Sequence, residues 1–110
     1  MAKFVTIGYG DQAGYDRTDA AVRDAAHTHD NRLRQGGADM GVAGHPAQVR
    51  NHDAAGVITE DGPFMSSMLP VAGFGIIEAA TLEEAIDLVS LTPCAVAHGV
   101  VEVWPLQESP

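Results

Sequence analysis

The groups of this chain that could do chemistry are five histidines, fifteen carboxylates and one thiol. His27-Thr28-His29 invites a metal reading, but residues two apart on a helix point about 200° away from each other and cannot share one ion. His45, His52 and His98 fall in separate turn or strand-edge contexts, with no i, i+4 pair and no cysteine cluster, so no metal centre is expected. His29 has the better claim. On a helical wheel it falls with Val22, Ala26 and Leu33 on the apolar side, whereas Arg23, Asp24, His27, Asn31 and Arg34 fall on the other. A histidine so placed either packs with its ring nitrogens satisfied by backbone or carboxylate, or acts as a general base whose pKa is held near neutrality by burial and a partner.

Asp61 is the expected partner of His29, which makes His29 and Asp61 the candidate catalytic pair. The competing reading of Asp61-Gly62-Pro63 is turn chemistry, in which the carboxylate bonds amides of its own loop and proline sets the exit. Phe64 is expected to anchor that loop to the core. With Met65, Met68 and His27 it forms the candidate ligand-binding set, since methionine adapts to irregular apolar surfaces. Gly8-x-Gly10-x-x-Ala13 satisfies a loose dinucleotide fingerprint, but Asp11 and Asp16 would repel a pyrophosphate and the chain is too short for a doubly wound sheet. No cofactor is expected. Ser66 and Ser67 lack a nucleophile-elbow context, and Cys94, behind Pro93 at a helix end, reads as a small packed residue.

The elements that must position these groups follow from periodicity. Lys3–Tyr9 alternates as a first strand, and Arg17–Gln35 reads as a helix closed by Gly36-Gly37. Met40–Ala43, Gln48–Arg50 and Gly56–Glu60 read as short strands, and Val71–Ala79 as a longer one. Thr81-Leu82-Glu83-Glu84 opens a second helix with a capping box; its apolar stripe is Leu82, Ala85, Ile86 and Val89, and Pro93 is expected to stop it. Gly99–Trp104 is the last strand, ended by Pro105, with a loose tail over 106–110. Two strand-helix-strand units joined by a hairpin make an α+β, ferredoxin-like split βαβ fold, an antiparallel sheet with both helices on one face. The other face of such a sheet needs cover, and a second copy of the chain is the expected cover.

The 110 residues make one domain. A formal net charge of −9 argues against nucleic acid and anionic membrane as partners, because binding phosphate depends on lysine and arginine displacing counterions. One cysteine makes no internal disulfide, no apolar run is long enough to span a bilayer, and "MAKFVTIGYG" lacks a signal-peptide core, so a cytoplasmic setting is expected.

Asp61-Gly62-Pro63-Phe64, followed by Phe74 and Ile76-Ile77-Glu78, resembles the DGPF-type branch of the YCII-related domains. Leu82-Glu83-Glu84-Ala85 is similar to that family's "dLdEAi" helix start, and Val101-Glu102-Val103-Trp104-Pro105 to its terminal "vEVRP". The likeness runs from Glu60 to Leu106. It implies a homodimeric α+β barrel with a small organic molecule bound between the first helix and the sheet. It also implies cofactor-independent lyase or isomerase chemistry by a histidine and an aspartate, His27 or His29 being the family histidine. The alternative is a non-catalytic dimeric module that regulates or binds another protein. The sequence departs from the family where a charged "aEtKE" is replaced by Met65-Ser66-Ser67-Met68-Leu69 and where Trp104 stands for arginine, which points to a more apolar ligand or none.

Overall fold

The computed structural model describes residues 1–107. Strand β1 (Ala2–Tyr9) is followed by a short helix α1 (Gln12–Asp16), the long helix α2 (Ala20–Gln35) and strand β2 (Asp39–Val42). Strands β3 (Ala47–Arg50) and β4 (Ile58–Asp61) flank a single 3-10 turn at His52–Ala54. Strand β5 (Val71–Ala79), helices α3 (Leu82–Val89) and α4 (Pro93–Val96), and strand β6 (Val100–Leu106) complete the order. The main sheet runs β2-β5-β1-β6 with every neighbouring pair antiparallel, the α+β ferredoxin-like arrangement read from the sequence. β3 and β4 pair only with each other, as a separate two-stranded ribbon inserted between β2 and β5.

Alternation along β1 decides the two faces of the sheet. Phe4 and Thr6 are buried on the helix side, and their cross-strand partners Ile77 and Gly75 on β5, with Pro105 and Val103 on β6, share that side. Val5 and Ile7 look the other way, level with Ile76, Phe74, Trp104 and Glu102. The core is small: Phe4, Ile77, Ala79, Ala85 and Val89, with Ala38, Leu88, Val101 and Val103 packed against it. From the expected stripe of α3 only Ala85 and Val89 are buried; Leu82 and Ile86 remain exposed.

Three boundaries differ from the sequence expectation, each for a local reason. The helix expected over 17–35 starts at Ala20, and a separate short helix, α1, precedes it. Asp11 accepts from the Gly14 amide at 2.9 Å to open α1, the Thr18 hydroxyl donates to the Gly14 carbonyl at 2.8 Å to close it, and Asp19 is non-helical. Pro93 does not stop a helix but starts α4 at its first position, where its missing N–H would have no partner anyway. Cys94 therefore sits near a helix start rather than at a helix end. Pro105 does not end β6, which continues to Leu106 opposite Lys3; β6 is an edge strand, where a residue without an N–H is tolerated. Of the tail, 108–110 lie outside the described residues.

The caps behave as read. Thr81 accepts from the Glu84 amide at 3.1 Å and Glu84 reaches back to the Ala80 amide at 3.1 Å. Gly37 takes φ +106, the left-handed conformation that releases the chain from α2.

Candidate functional site

Between α2 and the sheet lies a cleft of about 690 Å³, within the range of small-molecule sites. Its floor results from what the sequence leaves out. Gly8 on β1 lies opposite Gly73 on β5, and Thr6 lies opposite Gly75, so three adjacent positions on the helix side of the two central strands carry no side chain. Glycine weakens a strand and here lets neighbouring groups approach the backbone closely; Gly8 and Gly73 line the cleft, and Gly75 is buried under Thr6 and Met40. All three are crowded: a Cβ on Gly75 would stand 2.7 Å from Thr6 Oγ1. A Cβ on Gly73 would stand 2.7 Å from the Gly41 carbonyl oxygen, and one on Gly8 would stand 2.9 Å from Cys94 Sγ.

The walls divide by polarity. Met40, Ile77, Val89, Pro93 and Val101 supply an apolar side. On the other, α2 presents His27, Asp30, Asn31 and Arg34, positions three, four and seven apart that stack on one helix face. Tyr15 on α1 joins them, its hydroxyl 2.8 Å from His27 Nε2 and its ring under the Arg23 guanidinium at 4.9 Å. Burial pushes the Asp30 carboxyl above its usual value, against the opposing pull of Arg34, His27 and His29. Its Oδ1 is buried and has no hydrogen-bond partner among the described residues. The Cys94 thiol is raised likewise, by burial first and by the nearby Asp30 second, so it is held in the protonated, weakly nucleophilic form.

The expected catalytic pair is not brought together. His29 lies on the far flank of α2, where its Nε2 bonds the Leu88 carbonyl oxygen of α3, joining the two helices. Asp61 ends β4 on the ribbon and pairs with His45 at 2.9 Å, both side chains exposed. The expectation that His29 would face the sheet rested on its place beside Ala26 and Leu33. Those two are buried, but the side of α2 that meets the cleft is the polar one. Of the two histidines, His27 is the one that lines the cleft.

Phe64, Met65 and Met68 do not line the cleft. Phe64 is 80% exposed and lies beside the Arg50 guanidinium, 5.7 Å from ring centre to carbon, so it does not anchor its loop to the core as expected. Met65 Sδ lies 3.8 Å from the Tyr9 hydroxyl, and Met68 is fully exposed. Tyr9 also donates to Glu102 at 2.7 Å, and this bond to a carboxylate is the main cause that raises the Tyr9 pKa. Asp11 occupies the α1 amide that a bound phosphate would need, which closes the dinucleotide reading of Gly8 to Ala13.

Sequence reasoning missed Asp30, Tyr15, Arg34 and the glycine floor. The signal was present in the spacing of residues 27, 30, 31 and 34, and in Gly73 and Gly75, alternate positions of one strand that lie opposite Gly8 and Thr6. No family model and no curated protein matches the chain. Among the described residues no three histidine, cysteine, aspartate or glutamate side chains are grouped to hold a metal ion, and no helix is long and apolar enough to cross a membrane.

Proposed function

We propose that the cleft binds a small, mostly apolar organic molecule with a flat body and at least one hydrogen-bond donor. The observation that carries this reading is the cleft itself, in which His27, Asp30, Asn31 and Arg34 of α2 face an apolar wall of Met40, Ile77, Val89, Pro93 and Val101. A flat body packs against the apolar wall, and a donor on its rim meets the polar side chains that α2 turns to the cleft. His27 and Asp30, three residues apart on one helix face, then form the pair for moving a proton. A base that takes a proton from carbon and an acid that returns it to a neighbouring position make an isomerase; loss of a leaving group from the neighbouring carbon instead makes a lyase. Neither needs a cofactor.

The rest of the proposal is a homodimeric, cytoplasmic, YCII-related protein of the DGPF branch, supported by the likeness over residues 60–106. The dimer reading is supported by the uncovered sheet face, where Val5, Ile7, Phe74, Ile76 and Trp104 share one side and Trp104 is 56% exposed. A second reading, a non-catalytic module that binds another protein, is favoured by the exposed Phe64 and Met68 of the loop.

Saturation-transfer NMR with a set of small phenols, aromatic acids and lactones tests the cleft. Binders are expected, and their affinity should fall about tenfold or more in Asp30→Ala and in His27→Ala. A binder held equally tightly by the double variant sits elsewhere and refutes the assignment.

A further inference from the structure

The ribbon of β3 and β4 has no support from its own chain. Two strands alone are marginal in water, and a ribbon normally rests one face on a core. Here Ala47, Val49, Thr59 and Asp61 share one face, and Gln48, Arg50, Ile58 and Glu60 share the other. Val49 is 68% exposed on the first and Ile58 58% exposed on the second. Among the described residues neither strand packs extensively against any element but the other. The ribbon follows β2 in the chain, pairs with no strand of the main sheet and stands off as an arm.

The whole molecule carries the mark of this arm. A compact chain of 110 residues has a radius of gyration of about 13 Å, whereas this one measures 15.9 Å with extents of 53 × 35 × 21 Å. A compact monomer of 11.5 kDa exposes about 5,800 Å². This chain exposes 7596 Å², about 1,800 Å² more than that compact monomer.

That surplus is of the size one subunit gives up in an obligate dimer, whose interfaces bury roughly 2,000–5,000 Å² over both partners. The bare sheet face cannot account for all of it. Four strands about 4.8 Å apart and about 23 Å long cover about 440 Å² in plan, and even twice that area leaves about half of the surplus. The arm, with Val49 and Ile58 exposed, and the loop of Phe64 and Met68 that follows it are described parts of the chain that contribute to the remainder.

We propose that the β3–β4 arm of each copy closes on the body of a second copy of this chain, extending the contact made by the bare sheet face. The proposal rests on the dimer reading above and adds the arm to it. An isologous pair fits the observations because one surface is used twice: each copy offers one arm and one open face, and two-fold symmetry lets both be covered at once. Val49 and Ile58, apolar on opposite sides of the ribbon, lose water on both sides only if the arm is enclosed rather than laid against a flat surface.

Sedimentation across a concentration series measures the dimer dissociation constant of the wild type and of the Val49→Glu, Ile58→Glu pair. Hydrogen exchange on the wild type, above and below its dissociation constant, reads amides 47–50 and 58–61 without any substitution. The expected results are a dissociation constant raised about tenfold or more by the pair and arm amides that lose protection on dilution. A wild type that is monomeric at every concentration overturns the arm and the dimer together. An unchanged constant in the variant, or arm amides that exchange alike at both concentrations, overturns the arm and leaves the dimer standing.

Discussion

Gly8→Ala is the sharpest test of how the floor of the cleft is built. The added methyl would stand 2.9 Å from Cys94 Sγ and 3.3 Å from Cys94 Cβ, at least about 0.6 Å inside the roughly 3.5–4.0 Å at which nonbonded carbon-sized atoms rest for the sulfur contact. Overpacking of this kind costs about 1–3 kcal/mol, and replacing glycine by alanine in a strand returns about 0.5–1 kcal/mol, so the substitution alone should cost about 1–2 kcal/mol. For a domain of this size that is a melting temperature lower by about 4–10 °C. The obstacle is one side chain and not the backbone, so Cys94→Ala should relieve it. In a double-mutant cycle by urea unfolding, the double variant should regain about 1 kcal/mol relative to the sum of the single changes. Additivity to within about 0.3–0.5 kcal/mol would show that thiol and floor do not touch, and the steric account of Gly8 would fall.

The remaining predictions concern the polar wall and the expected pair. Asp30 has a folded pKa above its ordinary 3.8 because burial penalises the charged form. Its contribution therefore favours folding at low pH and is lost as pH rises from the unfolded value through the raised folded one. Asp30→Asn should melt at or above the wild-type temperature at pH 7, with the gap closing below about pH 4; a lower melting temperature at pH 7 would mean the carboxylate has a partner it needs. His29→Ala should cost about 0.5–1.5 kcal/mol by removing the bond to the Leu88 carbonyl. Asp61→Ala, which breaks an exposed pair with His45, should stay within about 0.5 kcal/mol in the same melts. Equal large losses from both would reinstate them as a unit.

Much of the fold was legible because its signals are local. Thr81 and Glu84 announce a helix start wherever they occur, and the alternation of β1 needs only seven residues to declare two faces. The order of elements then leaves little freedom, since a split βαβ chain with antiparallel neighbours has β1 beside β5 and β6. The site was less legible because it depends on what faces what. A wheel separates Ala26 and Leu33 from His27 and Arg34, but which flank meets the sheet depends on the sheet, where Gly8 and Gly73 carry no side chain toward the polar stripe. The same difficulty hid the arm. Val49 and Ile58 have the composition of a half-buried strand, and nothing within four residues of either tells that both faces of the ribbon are open.

The partition between the cleft and the bare sheet face is one peptide layer thick. Where Gly8 pairs with Gly73, neither residue puts a side chain on the cleft side, where Cys94 packs against Gly8, while Ile7 and Phe74, each one residue away along its strand, stand on the opposite side. A molecule pressed onto the floor and a subunit pressed onto Phe74 would thus lean on the same few amides from opposite directions. The thinness that makes room for a ligand also makes the two surfaces mechanical neighbours. A substitution chosen to alter one of them has only the width of a backbone to cross before it reaches the other.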